Sequence, residues 1–237
     1  MKITIIGAGY VGLVSGACFA KVGHDVICVD ANPSVVSMIN SGLSPVHEKG
    51  LPKILREVVS SGSLKATTDL SSAIIDADIS MISVGTPFAN GSIDLNYITV
   101  AAEQLAKVLY LAAKYHVVCI KSTVIPGTTK DIVAPILTKY SNRELGVSLG
   151  LAMNPEFLSE GTAVNDFMQP DRIVIGAQDD LTANLMSDMY SDFKDTDIVL
   201  TSLNSAEMIK YTSNALLATL ISFSNEIANL CADIDGV

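Results

Sequence analysis

The stretch KITIIGAGYVGL at Lys2–Leu13 is a short apolar strand followed at once by a glycine-rich turn. Gly7, Gly9 and Gly12 have the GxGxxG spacing, and small and apolar residues continue in a helical pattern to Val22. In such a unit the first glycine permits the tight turn, the second lets the backbone approach a pyrophosphate, and the third lets the helix pack on the strand. The stretch therefore predicts a Rossmann-type unit that binds a dinucleotide at the N-terminus of its helix.

A carboxylate ends the next apolar strand, which is predicted at Asp25–Asp30. An acidic residue at this place binds the hydroxyls of the adenosine ribose, and its charge repels a 2′-phosphate. Residues 31–37 contain no Arg or Lys that would bind such a phosphate. We therefore predict NAD rather than NADP as the cofactor. A domain that binds FAD or no dinucleotide is the alternative that the glycine spacing alone leaves open.

Strand and helix patterns alternate along the rest of the chain. Further strands are predicted at residues 64–67, 79–84, 117–121, 149–153, 172–176 and 198–200, with helices at 11–22, 33–41, 51–60, 97–115, 127–140 and 181–193. Short connections favour parallel pairing with right-handed crossovers. The predicted fold class is α/β, a Rossmann-like, doubly wound, mostly parallel sheet followed by a long C-terminal helix. This helix, at 204–233, exceeds the usual length, and it is either a link or dimer interface or a kinked core helix.

Composition excludes several classes of protein. The net charge is −10 with no basic stripe, which argues against nucleic-acid binding. The four cysteines form no CxxC or CxxH pair, so no metal site and no disulfide framework are predicted. The apolar stretch 215–223 is too short to cross a membrane. A strand that begins at Ile3 leaves no room for a signal peptide, and a cytoplasmic location is expected.

Three loops follow the predicted strands where a doubly wound sheet binds its ligands. They are VGTP at 84–87, KSTVIPGT at 121–128 and NPEFLSEG at 154–161. Each alone is ordinary turn chemistry, but three on one edge predict a site. In the last loop, Glu156 suits acid–base or water chemistry. A loop Glu is more often solvated or a helix cap, and Glu160 fits a helix cap.

The long helix carries two polar residues one turn apart, Lys210 and Asn214, which share a face. Glu207 precedes Lys210 by three residues and is placed to form an ion pair with it. Helical spacing by itself assigns no catalytic role to Lys210.

These motifs occur together in one family. GAGYVGL (7–13), VGTP, KSTVIPGT, NPEFLSEG, PDRIVIG (170–176) and AEMIKYTSNALLATLISFSNEIANL (206–230) follow its order across essentially the whole chain. The chain resembles the N-terminal part of the UDP-glucose/GDP-mannose dehydrogenase family. Within the family it is most similar to members that oxidise UDP-glucose to UDP-glucuronate, and members acting on GDP-mannose or UDP-N-acetylhexosamines are the close alternatives.

The resemblance implies a role for each matching position, because such enzymes oxidise the C6 alcohol of a nucleotide sugar twice, to a carboxylate, with two NAD⁺. The implied NAD contacts are Gly7, Gly9, Tyr10, Val11, Gly12, Asp30, Thr86, Thr123 and Glu156. The implied catalytic residues are Thr123, Glu156, Lys210 and Asn214, with Lys210 at the oxyanion that develops at C6. The implied substrate contacts are Glu156, Phe157, Leu158, Glu160, Lys210 and Asn214.

One departure from the family limits the expected activity. The family's cysteine nucleophile lies in a GGxCxPKD-like segment, which the 237 residues do not contain, and Cys231 does not match it. We therefore expect an NAD-binding domain at 1–202 and, at 203–237, the truncated start of a central helical domain that forms a homodimer. The piece alone should not complete the oxidation.

Two other functions compete with this prediction. A 2-hydroxyacid or 3-hydroxyacyl dehydrogenase would place a histidine after the sixth strand, where this chain has Asn154-Pro-Glu156. A non-catalytic NAD-binding or dimerisation module is consistent with the missing cysteine segment.

Overall fold

An eight-stranded sheet forms the centre of the fold in the computed structural model, which describes residues 1–89, 91–112, 114–234 and 236. The strands are β1 (Lys2–Ile6), β2 (Asp25–Val29), β3 (Leu64–Thr67), β4 (Ile79–Ile82), β5 (Phe88–Ala89), β6 (Ser92–Ile93), β7 (His116–Ile120), β8 (Leu149–Met153), β9 (Arg172–Ala177) and β10 (Asp197–Thr201). β5 and β6 form a separate antiparallel hairpin. The predicted helix 97–115 and segment 203–237 each extend over residues outside the described set.

Helices cover both faces of the sheet. They are α1 (Tyr10–Lys21), α2 (Pro33–Asn40), α3 (Leu51–Ser60), α4 (Leu70–Ile74), α5 (Asn96–Val108), α6 (Ala134–Ser141), α7 (Ala163–Met168), α8 (Asp180–Asp188) and α9 (Leu203–Ala232). A 3₁₀ turn at Leu109–Leu111 follows α5, and a π-helical turn at Thr128–Val133 precedes α6. The predicted helix 127–140 is thus two segments of different winding.

The strand order is β10-β9-β8-β7-β4-β1-β2-β3, and the pairs from β3 to β8 are parallel. From β1 the chain first extends the sheet through β2 and β3, and then returns to the other side of β1 with β4. The order therefore reverses between β1 and β4, which is where doubly wound sheets bind ligands beyond the carboxyl ends of their strands. The predicted fold class is confirmed.

The expectation of parallel pairing fails at one place. β9 runs antiparallel to β8, and β10 is parallel to β9. The chain reverses here because the loop after β8 and the short α7 return it without a full crossover. β9 pairs with β8 only at Ala152 and Met153, so Arg172 at its start lies beyond the carboxyl end of β8. β9 therefore adds a wall on the ligand side of the sheet.

The sheet is apolar on both faces, as parallel strands between helices require. One core cluster packs α1, α3 and α7 against the sheet, and in it the ring of Phe19 meets that of Phe167 edge-on at 4.9 Å. The other packs α5 and α6 against the opposite face, around Ile98, Leu105 and Val118. These two layers hold the strand ends in fixed positions for the site.

The long helix α9 is buried only near its start. Ser202 caps it by accepting a hydrogen bond from the Ser205 amide, and its buried residues include Glu207 and Lys210. From Asn214 to Leu230 its side chains are exposed. The helix has 30 residues and a mean hydropathy of 1.3 in its most apolar part, so by length and composition it can cross a membrane. The expectation that no segment spans a membrane considered only residues 215–223, which are part of this longer apolar helix.

Candidate functional site

The glycine-rich loop joins β1 to α1 and leaves open space at one glycine only. Gly7 has φ 95°, and a Cβ there would lie 2.7 Å from the Ser83 carbonyl oxygen. A Cβ on Gly12 would lie 1.9 Å from the Gly7 carbonyl oxygen, whereas one on Gly9 would meet nothing within 4 Å. Gly7 and Gly12 are thus required by the fold. Gly9, which begins α1 without a side-chain cap, leaves room for a phosphate at the helix N-terminus.

The Asp30 carboxylate lies beside this loop, at the end of β2. One oxygen accepts a hydrogen bond from the Ala8 amide at 2.9 Å, and the other accepts one from the Asn32 amide at 2.9 Å. The two amides hold the carboxylate in one orientation at the place where an adenosine ribose binds in this fold. Glycine loop, open helix terminus and fixed carboxylate together fit a dinucleotide.

A cleft of about 290 Å³ opens beyond the carboxyl ends of β1, β4 and β7, and we call it the cofactor cleft. It is lined by Gly9, Tyr10, Val11, Ser83, Val84, Gly85, Thr86, Lys121, Ser122, Thr123 and Glu156. The Thr86 hydroxyl donates to the Thr123 carbonyl at 2.8 Å, which ties the loops after β4 and β7 together. Two of the three predicted loops and the start of the third therefore meet here.

A second cleft, of about 310 Å³, lies between the loop after β8, α7 and the start of β9. Its walls include Phe157, Leu158 and Arg172. Lys121 and Glu156 line both clefts. The two clefts thus meet at these two side chains, and we call this place the junction.

An ion pair joins α9 to the junction. Lys210 Nζ lies 2.9 Å from Glu156 Oε1, with the two side chains 6% and 12% exposed. The other oxygen, Glu156 Oε2, accepts a hydrogen bond from the Leu158 amide at 2.6 Å. The centroid of the Phe157 ring lies 5.4 Å from Lys210 Nζ and 4.7 Å from the Arg172 guanidinium carbon. Carboxylate and ammonium are therefore both held in a largely water-free place, where charges act strongly.

Glu207 does not pair with Lys210, contrary to the prediction from their spacing. It is fully buried, and its two oxygens accept from the amides of Gly127 at 2.6 Å and Thr129 at 2.7 Å. These amides begin the π-helical turn and have no partner of their own within it. Glu207 thus fastens α9 to the loop that carries Thr123.

The similarity of the chain to known protein families agrees with this geometry. Residues 1–194 match the NAD binding domain of the UDP-glucose/GDP-mannose dehydrogenase family, and residues 204–236 match its central domain. The chain belongs to this family. NAD is the cofactor of the domain that it contains.

Relatives named for different sugars are about equally similar. UDP-glucose 6-dehydrogenase AglM of Haloferax volcanii is 42% identical over 98% of the chain, and GDP-mannose 6-dehydrogenase of Pseudomonas putida is 41% identical over all of it. A ternary complex of GDP-mannose dehydrogenase from Pseudomonas aeruginosa matches 97% of the chain with a TM-score of 0.94 and 40% identity. The chain spans 54% of each of the two relatives and 52% of the solved chain.

In this family member most of the predicted site residues come together. Gly9, Tyr10, Val11, Thr86 and Thr123 line the cofactor cleft, Phe157 and Leu158 line the second cleft, and Glu156 lines both. The other predicted residues line neither cleft. Gly7 and Gly12 lie in the glycine-rich loop, Asp30 bonds to that loop, and Lys210 pairs with Glu156. Glu160 and Asn214 are exposed, and neither lines either cleft.

Sequence reasoning missed Lys121 and Asn154 as site residues. Lys121 is 3% exposed, and its Nζ donates to Asn154 Oδ1 at 3.0 Å and to the Asn154 carbonyl at 3.4 Å. Burial lowers the pKa of Lys121 to about 8. The available signal was a lysine directly after the apolar run 117–120, at the ligand edge.

Glu48 was missed as well. The Tyr10 hydroxyl donates to Glu48, whose Oε2 also accepts from the Gly161 amide at 2.7 Å. Burial, followed by this hydrogen bond, raises the pKa of Tyr10 to about 12. Glu48 thus links the cofactor loop to the loop of Glu156, and it follows a turn whose sequence alone names no partner for it.

Proposed function

We propose that these 237 residues are the NAD-binding part of a nucleotide-sugar 6-dehydrogenase that converts UDP-glucose to UDP-glucuronate in two oxidations at C6. The observation that carries the proposal is the junction, where the Glu156 carboxylate lines both a dinucleotide cleft and a second cleft and is paired with the buried Lys210 ammonium of α9. A hydride acceptor and an alcohol must meet at such a place, because hydride transfer needs close and oriented contact.

Each predicted residue has a role in this proposal. Lys210 stabilises the oxyanion that develops at C6, since a preorganised cation helps most where charge appears. Glu156 exchanges a proton with the substrate or with a water. Thr123 holds the reacting end of the cofactor, and the second cleft takes the sugar nucleotide. Glu160 and Asn214 contact the substrate from the exposed rim.

The cysteines limit what the chain does alone. Cys18, Cys28 and Cys119 are buried, and burial raises the pKa of each thiol to about 12. Cys231 is on α9, about 30 Å along the helix from Lys210 at 1.5 Å per residue. A covalent step needs a thiolate beside the substrate. We therefore propose that this chain does not sustain the second oxidation.

The exposed part of α9 supports pairing with a second copy. Leu216, Leu220, Phe223, Ile227 and Leu230 are exposed and repeat at alternating four- and three-residue intervals. This is the spacing of a helix–helix seam. We propose that the protein acts in the cytoplasm as a homodimer paired along this seam.

GDP-mannose is a second candidate substrate, favoured by the similarity to GDP-mannose 6-dehydrogenases. The test is NADH formation by the chain with NAD⁺ and UDP-glucose, GDP-mannose or UDP-N-acetylmannosamine. We expect at most one NADH for each UDP-glucose consumed, because the second oxidation needs a thiolate beside the substrate. If GDP-mannose gives more NADH than UDP-glucose, GDP-mannose is the substrate instead. Binding of NAD⁺ without NADH from any sugar nucleotide would identify a non-catalytic binding module instead.

A further inference from the structure

We propose that Lys121 forms a carboxylate-binding subsite at the junction, which takes the acid group of an oxidised sugar nucleotide. The inference rests on the proposed function and extends it to a residue given no role there. It is carried by three observations, namely the burial of a cation, the lack of a counter-ion and the position between the two clefts.

No carboxylate from the described part of the chain forms an ion pair with the Lys121 ammonium. Among the described residues, no Asp or Glu oxygen lies within 4.0 Å of its Nζ, and both of its hydrogen bonds are made to Asn154. An ammonium has three N–H donors, so one donor is left without a protein acceptor. A buried cation of this kind is costly unless an anion accompanies it.

The nearby charges leave the Lys121 charge unbalanced. The groups that act on it are Glu156, Lys210 and the Cys119 thiol. Glu156 and Lys210 neutralise each other as an ion pair, and burial keeps Cys119 and Tyr190 protonated by raising their pKa values. The junction therefore carries one positive charge in excess when Lys121 is protonated.

The unbalanced charge lies where the oxidised carbon would be. Lys121 lines both clefts, as Glu156 does, so a group at the junction touches the cofactor cleft on one side and the sugar cleft on the other. A planar carboxylate can accept a hydrogen bond from the remaining N–H of Lys121, and its negative charge cancels the excess positive charge. A neutral C6 alcohol can accept the hydrogen bond, but it cannot cancel the charge.

The test compares two ligands that differ only at C6. Binding of UDP-glucuronate and of UDP-glucose to the chain saturated with NADH is measured by calorimetry near pH 7. NADH is used because its nicotinamide is uncharged and adds no attraction for the carboxylate. We expect UDP-glucuronate to bind at least about tenfold more tightly, a difference of about 1.4 kcal/mol.

Two comparisons assign this preference to Lys121. It should disappear in Lys121→Met and persist in Lys139→Met, which removes an exposed lysine of α6. In the unaltered chain it should shrink by about tenfold or more between pH 7 and about pH 9.5, as Lys121 loses its proton. The pH series needs no variant, so it decides the matter even if Lys121→Met does not fold.

Equal affinities for the two ligands, or no binding of UDP-glucuronate at millimolar concentration, would overturn the subsite. A preference unchanged in Lys121→Met or at high pH would do the same. Failure of NADH itself to bind would instead count against the proposed function, so the two failures are distinct.

Discussion

Glu207 Oε2 accepts a hydrogen bond from the Gly127 amide at 2.6 Å, across the contact between α9 and the loop after β7. Its other oxygen accepts from Thr129. Three residues later on the same helix, Lys210 reaches the loop after β8. One helical turn of α9 thus fixes two loops of the site relative to each other.

Glu207→Gln should lower the free energy of unfolding by about 2–3 kcal/mol. The amide keeps the shape of the side chain, but it directs an NH₂ group at one backbone donor and weakens two charge-assisted hydrogen bonds. Chemical denaturation measures the change. Glu226→Gln, on the exposed part of the same helix, is the matched control and should leave stability within about 0.5 kcal/mol. Equal losses in both variants would contradict the role of Glu207.

Gly9→Ala should impair NAD⁺ binding, whereas Gly12→Ala should impair folding. Gly12→Ala places a methyl group against the Gly7 carbonyl and should destabilise or unfold the chain. Gly9→Ala meets no protein atom, so the chain should fold normally and yet lose most of its NAD⁺ affinity, because the methyl group enters the space for the pyrophosphate. Thermal unfolding and calorimetry separate the two effects. Normal NAD⁺ binding by Gly9→Ala would place the phosphates elsewhere.

Asp30→Ala should weaken NAD⁺ binding by about 10- to 100-fold, through loss of hydrogen bonds from the ribose to a charged acceptor. It should also reduce the difference in affinity between NAD⁺ and NADP⁺, because the charge that repels the 2′-phosphate is gone. Calorimetry with both cofactors gives the two affinities. Asp25→Ala, an exposed aspartate at the start of β2, should change neither. Unchanged NAD⁺ affinity in Asp30→Ala would exclude the ribose contact.

Lys121→Met should stabilise the chain near neutral pH by about 1–3 kcal/mol. Burial lowers the pKa of Lys121 from 10.5 to about 8, so below pH 8 the folded state carries the full cost of a buried charge. As pH rises from about 8 to 10.5, the folded state loses this proton before the unfolded state does, and the advantage of the variant should shrink. Unfolding measured across this range tests the sign. A gain that does not depend on pH would point to packing rather than charge.

Leu220→Asp should convert a dimer into a monomer, because it places a charge in the middle of the apolar seam of α9. Light scattering gives the mass. Ser222→Asp lies outside the seam and should leave the dimer intact. If the unaltered chain is a monomer and sediments with lipid vesicles, the apolar face of α9 covers a membrane surface instead.

The geometry of the glycine-rich loop and of Asp30 was predictable because its signals are local in the chain. Gly7, Gly9, Gly12 and Asp30 act within one strand–helix–strand unit, and their spacing is set by backbone geometry. The helix starts at Asn32 and Ser202 follow from side-chain caps that are equally local.

Features that depend on distant partners were missed or wrong. The apolar pattern of β9 carries no direction, so its antiparallel pairing with β8 depends on the loop between them. Glu207 had a cation three residues away and instead bonds to amides about eighty positions earlier in the chain. The junction at Lys121 required knowledge of which side chains surround a lysine after folding. α7 has six residues, too few for a helical period to be read.

The contact between α9 and β9 lies near the N-terminal end of the helix and is the point, or fulcrum, about which the helix would tilt. Lys210 lies a short way beyond it, and the far arm of the helix runs on to Ala232. A Cβ on Gly176 would lie 2.8 Å from the Ala206 Cβ, so the helix rests closely on the sheet there. At 1.5 Å per residue, Lys210 lies about 6 Å from this point and Ala232 about 39 Å. A tilt about the fulcrum therefore moves the Lys210 backbone only about one sixth as far as it moves the tip. Whatever docks on the far arm can shift by several ångströms while the ion pair with Glu156 is hardly disturbed.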